Sequence, residues 1–128
     1  MSKDFRTELS KVRGTGSAKS GTDHFWMQRV TAFANVPLFI GFIILIVSLV
    51  GKDYEQVHAT VANPFIAVFL GLMIFSGIYH MKLGMQVIIE DYIPAEMSRA
   101  FFLALNIFFC FAVGGALFFA LLKICLGG

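Results

Sequence analysis

The stretch "PFIAVFLGLMIFSGIYHMKLGMQVIIEDY", residues 64–92, decides the fold. It opens on a proline, runs apolar almost to its end, carries His80 and Lys82 inside the run, and closes on an acidic pair and a tyrosine. A helix needs roughly 20 apolar residues, at about 1.5 Å of rise each, to cross the hydrocarbon of a bilayer. Residues 64–89 exceed that. They are continuous rather than alternating, and far longer than the roughly 10 residues of a barrel strand.

Outward from this stretch lie two more runs of the same kind, at about residues 30–50 and 98–122. The first carries no charged side chain, and Pro37 near its start is a place for a bend whose freed carbonyl neighbours can satisfy. In the last, Asn106 is the only strongly polar residue before Lys123. The pieces between are polar connections: residues 51–63 (GKDYEQVHATVAN) and residues 90–96 (EDYIPAE), the second turning around Pro94. Composition agrees, since 58% hydrophobic residues, 15 phenylalanines and only 14% charged residues exceed what the core of one 128-residue soluble domain can bury. The expected fold is therefore an all-α membrane protein with three transmembrane helices running up, down and up. Residues 1–29 form a tail and interfacial segment, and residues 30–128 the transmembrane domain.

Charge sets the expected orientation. Lys3, Arg6, Lys11, Arg13, Lys19 and Arg29 precede the first span, whereas the first loop holds only Lys52. The positive-inside tendency then puts the N-terminus in the cytoplasm and Gly128 on the other side. Arg99 agrees and Lys123 runs weakly against it. Asp4, Glu8 and Asp23 set the tail apart from a transit peptide, and the first run is too long for a signal-peptide core. The basic residues serve topology and attraction to anionic lipid, and no nucleic-acid role is expected. Cys110 and Cys125 fall on one helix, about 22 Å apart, too far for a disulfide. There is no CxxC or CxxCH, no internal repeat and no phosphate-binding glycine loop.

Placed around a helix at about 100° per residue, Ser76, Gly77, Gly84, Val87 and Asp91 fall within roughly 60° of the line through His80. Phe75, Ile78, Met85 and Ile89 occupy the opposite side. Glycine and serine beside a histidine make a recess that another helix or a flat ligand can approach closely. An imidazole in hydrocarbon is costly unless it is satisfied. Three readings stay open at this point: a hydrogen bond to a neighbouring helix, haem ligation, and a proton relay. Haem ligation suits a neutral imidazole with room beside it. It also demands a second chain, because His24 precedes the first span and His58 lies in the loop on the opposite side. The unit would then be half of a membrane dimer.

The segment HMKLGMQVIIEDY, residues 80–92, with His80, Gly84, Met85, Gln86, Val87, Asp91 and Tyr92, resembles the signature of the small hydrophobic membrane anchor of succinate dehydrogenase, the cytochrome b556-type respiratory complex II. The segment GSAKSGTDHFWMQRVTA, residues 16–32, resembles the approach to the first span in alphaproteobacterial members. The likeness covers nearly everything beyond the first dozen residues. It implies one half of a heterodimeric anchor bundle, paired with a second cytochrome b556 anchor subunit. It also implies association with an iron-sulfur subunit and a flavoprotein subunit that oxidises succinate in the tricarboxylic acid cycle. The implied cofactor is haem b, shared between the anchors, with ubiquinone as electron acceptor and the bacterial inner membrane, rather than the mitochondrial one, as location. By the same resemblance His80 is the haem iron ligand and Arg29 lies near the haem propionates and quinone; Ser76, Gly77 and Gly84, which share the His80 face by spacing, are then the expected haem-facing groove. Tyr92 and Asp91 correspond to quinone-site residues.

Each role has a plainer counterpart. Tyr92 at the interface also suits an anchoring aromatic, Asp91 a solvated helix end, and Arg29 a side chain reaching lipid phosphate. An acid near a helix C-terminus opposes the dipole, which favours function at Asp91. Glu90 reads as solvated, Trp26 and Tyr54 as interfacial belts, and Lys82 as snorkelling. Asn106 reads as interhelical glue, and Gly114 and Gly115 as a close helix contact. Two other classes compete: a transporter, which calls for broken helices or buried charges, and a non-catalytic assembly subunit. A fumarate reductase anchor has the same features. The chain shows no flavin fold, iron-sulfur cysteine set or succinate site, so alone it is expected to catalyse nothing.

Overall fold

Caps, a glycine and prolines determine where the helices start and stop in the computed structural model, which describes Thr7, Leu9 and residues 19–127. Helix α1 runs Lys19–Leu49 and ends where Gly51 takes a left-handed φ of 81°, a conformation that favours glycine. Asp53 then caps α2, Tyr54–Ala62: its carboxylate accepts from the Gln56 N–H at 2.9 Å, and the Asp53 N–H donates to Gln56 Oε1 at 3.3 Å. Asn63, extended because a proline follows it, is the single residue between α2 and α3. Its Oδ1 accepts from the Phe65 N–H at 3.0 Å, with Pro64 in the first turn where it displaces no helical hydrogen bond. Helix α3, Pro64–Tyr92, stops before Ile93, which is held extended ahead of Pro94, and α4 spans Glu96–Cys125.

Helices α1, α3 and α4 are each long and apolar enough to cross a membrane. At 31, 29 and 30 residues they outrun the expected spans at one or both ends. At about 1.5 Å per residue each approaches 45 Å, so its ends project beyond a hydrocarbon layer of about 30 Å. Residues 19–29, expected as an interfacial segment, continue α1 without a break. Pro37 is also accommodated inside it. Helix α2 occupies part of what was expected to be a plain connection, and the Asp53 to Gln56 spacing is the signal for it. Most of the basic tail, with Lys3, Arg6, Lys11, Arg13 and the acidic Asp4 and Glu8, lies outside the described residues, as does Gly128.

Helix α3 is the middle of the assembly, with α1 on one flank and α4 on the other, while α2 packs against α3 and α4. Along α1, Gly41, Thr31 and Gln28 meet Phe69, His80 and Gly84 in turn, so the two helices are antiparallel. Gly71, Ile78 and Lys82 meet Leu121, Gly114 and Asn106 in the same falling order, which makes α3 and α4 antiparallel too. The up-down-up order follows. The α3 residues facing α1 and those facing α4 lie roughly 180° apart on the helix. The three spans therefore form an open layer rather than a closed bundle.

Little is buried inside such a layer. Among the described residues the buried apolar side chains are Leu83, Ile89 and Cys110, matched by the polar Thr31, Ser76 and Asn106. Large apolar side chains such as Phe33, Phe39, Phe65, Phe108 and Phe111 point outward, as a lipid-facing surface requires. Between helices that both border lipid, close approach and hydrogen bonds do the joining. Asn106 Nδ2 donates to the Lys82 carbonyl at 3.0 Å and Cys110 Sγ to Asn106 Oδ1 at 3.6 Å, so Asn106 is the expected glue. A Cβ at Gly114 would stand 3.5 Å from Ile78, and one at Gly41 2.8 Å from the Phe69 ring. Gly115, expected to share the contact, has open space around it. Both cysteines are free.

This contrast gives a paired test. Gly114→Leu is expected to overpack the α3–α4 contact and destabilise the chain by about 1–3 kcal/mol, whereas Gly115→Leu leaves stability nearly unchanged. Thermal unfolding in mild detergent, followed by tryptophan fluorescence or loss of the monodisperse peak, measures both.

Candidate functional site

His80 lies near the middle of α3, 12 residues from its end at Tyr92, which is about 18 Å of helix. Its ring is half-buried, and Nδ1 lies 3.0 Å from Oγ1 of Thr31 on α1. Thr31 is 7% exposed, so this contact is shut off from the surroundings. The same hydroxyl oxygen lies 2.7 Å from the Met27 carbonyl and 3.1 Å from that of Gln28. Thr31 was missed as a site residue by reading the second span alone. The signal was available in Gln28, Thr31 and Asn35, polar residues at three- and four-residue steps on one face of the first long helix.

On the α3 side, the recess expected around His80 is partly filled. Gly84 has Gln28 Nε2 for a neighbour, 3.7 Å from where a Cβ would be, so the chain's own helix occupies that space. Gly77 has nothing within 4 Å of the same point and remains open. Ser76 is buried, and its hydroxyl has no hydrogen-bond partner. Thr31, Ser48 and Thr60 behave differently, each donating to a carbonyl three or four residues back in its own helix. An unsatisfied buried hydroxyl one turn from a mid-span imidazole is costly in hydrocarbon.

The other expected site residues sit apart from His80. Arg29 is exposed, with its guanidinium 5.1 Å from the Phe25 ring centroid. Two residues from Thr31 is about 200° around the helix, so Arg29 points away from the α1 face that meets His80. Asp91 and Tyr92 are exposed at the end of α3, Tyr92 at 80%. By the antiparallel register Arg29 lies within about 3 Å of Thr31 along the helix axis, and the end of α3 at Tyr92 lies about 15 Å further on. Glu90 accepts from Gln86 Nε2 at 3.0 Å along the helix surface, as a solvated acid does.

A separate groove of about 450 Å³ opens between α3 and α4, with Tyr79, Lys82, Cys110 and Gly115 in its lining. The Lys82 ammonium lies 5.9 Å from the Tyr79 ring centroid. Among the described residues no three of His, Cys, Asp or Glu come together as a metal cage.

Comparison with known proteins fits a chain of three spanning helices. Residues 3–114 match the family model described as succinate dehydrogenase/fumarate reductase transmembrane subunit. The chain is 35% identical to the succinate dehydrogenase hydrophobic membrane anchor subunit of Rickettsia bellii (strain RML369-C), over 77% of this chain and 79% of the relative. It is 31% identical to the subunit of that name from Paracoccus denitrificans, over 94% and 93%. For the one from Rickettsia conorii (strain ATCC VR-613 / Malish 7) the identity is 32%, over 84% and 86%. No solved structure matches. Since the family match runs from the tail through the first two spans and well into the third, this chain belongs to the succinate dehydrogenase/fumarate reductase transmembrane subunit family.

Proposed function

We propose that this anchor contributes His80 as one axial ligand to a haem b shared with a second anchor subunit, and Tyr92 with Asp91 to the site where ubiquinone is reduced. The observation that carries the haem reading is the setting of His80. It is an imidazole midway along a spanning helix, with open space at Gly77 and an unsatisfied Ser76 hydroxyl on the same face. Those residues fit the group: a neutral imidazole is a standard iron ligand, and small residues beside it leave room for a macrocycle. When bound, the haem supplies a one-electron carrier within the membrane. His24 lies seven residues before Thr31 on α1, about 10 Å further toward the tail, and His58 belongs to α2. The second ligand therefore comes from the companion anchor.

The chain's own residues do the rest by position. Tyr92, exposed at the helix end, can donate its phenolic hydrogen to a quinone oxygen as negative charge builds there. Asp91, one residue earlier and exposed, can pass one of the two protons that quinone takes up with two electrons. The exposed Arg29 guanidinium is available to an anionic propionate or phosphate. In the full reading, a flavoprotein subunit oxidises succinate and an iron-sulfur subunit carries the electrons to this face. The N-terminus is cytoplasmic, and the chain sits in the inner membrane of a bacterium.

Two measurements test this. In the complex purified with its companion anchor, His80→Ala is expected to abolish the b-type reduced-minus-oxidised absorption while the subunits still co-purify. An unchanged spectrum would sink the ligand assignment. Tyr92→Phe is expected to slow succinate-driven ubiquinone reduction by about tenfold or more, in line with loss of one donor at a developing oxyanion. Succinate oxidation by a water-soluble dye should be unaffected; equal loss of both activities would argue against a quinone contact.

A further inference from the structure

The three contacts of the Thr31 hydroxyl cannot all be donor bonds. The group has a single proton, and the oxygens of Met27 and Gln28, at 2.7 and 3.1 Å, can only accept. If the proton pointed to His80, the hydroxyl oxygen would lie 2.7 Å from the Met27 carbonyl oxygen with no hydrogen between them. The arrangement that satisfies every atom sends the Thr31 proton to the Met27 carbonyl and takes a hydrogen bond from His80. We infer that Thr31 is a positioning residue that holds His80 in its Nδ1–H tautomer, leaving the Nε2 lone pair for iron. The inference rests on the haem reading above.

The chemistry runs through the ring. A ligating imidazole is oriented and made more basic by a partner that accepts its other N–H, and loss of such a partner commonly costs about 10- to 100-fold in metal affinity or activity. Thr31 suits that task because it is shut away from the surroundings, its side chain is fixed by its own helix, and it joins α1 to α3 at the depth of His80. Donation to a neutral hydroxyl rather than a carboxylate gives the ring a moderate push. Its removal should favour the reduced iron.

The test is made on the whole complex in mild detergent, with haem content per flavin, midpoint potential and the low-spin electron paramagnetic resonance signal as readouts. Thr31→Val keeps the shape and removes the acceptor. It is expected to lower haem retention during washing about tenfold or more, raise the midpoint potential and shift the resonance signal. Thr31→Ser, which restores the hydroxyl, should return these properties toward the parent values. Unchanged haem content, potential and resonance in Thr31→Val, with haem lost in His80→Ala, would overturn the positioning role and leave the ligand assignment standing. Failure of Thr31→Ser to restore them would overturn it as well. Retention of an unchanged haem in His80→Ala would remove both.

Discussion

Inside hydrocarbon a polar group has no water to turn to, so each one either finds a partner in the protein or imposes a cost of several kcal/mol. In this chain that constraint decides where the helices touch. Thr31 joins α1 to α3 through His80, and Asn106 joins α4 to α3 through the Lys82 carbonyl. The apolar side chains add area, but they serve lipid as well as they serve one another. Remove the two polar joints and the layer is held mainly by close approach at glycine positions such as Gly41 and Gly114.

The same constraint isolates Ser76. Thr31, Ser48 and Thr60 each donate to a carbonyl of their own helix, whereas Ser76 is buried and unpaired one turn from His80. It lies on a face of α3 that also holds the open position at Gly77.

Much of the fold was legible because length and apolarity alone call three helices, and proline and asparagine punctuate them at residues 63, 64 and 94. The ends were less legible. Residues 19–29 carry helix although most of them are polar, and α2 hides in a polar loop unless the Asp53 to Gln56 capping box is noticed. His80 stood out because a lone imidazole in an apolar run is conspicuous. Its partner did not, because threonine in a membrane helix usually bonds its own backbone, and Thr31 does that as well. Arg29 shows the opposite limit: its nearness in sequence to Thr31 says nothing about direction, and a helix turns it away. Gly84 was read as part of an open recess, and only the packing of α1 reveals that Gln28 fills it.

Between the last residue of α3 and the first of α4 there are three residues, one of them Pro94. So short and stiff a joint has no slack to absorb a change in tilt. Tyr92 closes α3 at that joint, so a tilt of α4 passes to the end of α3 through the backbone, without any side-chain relay.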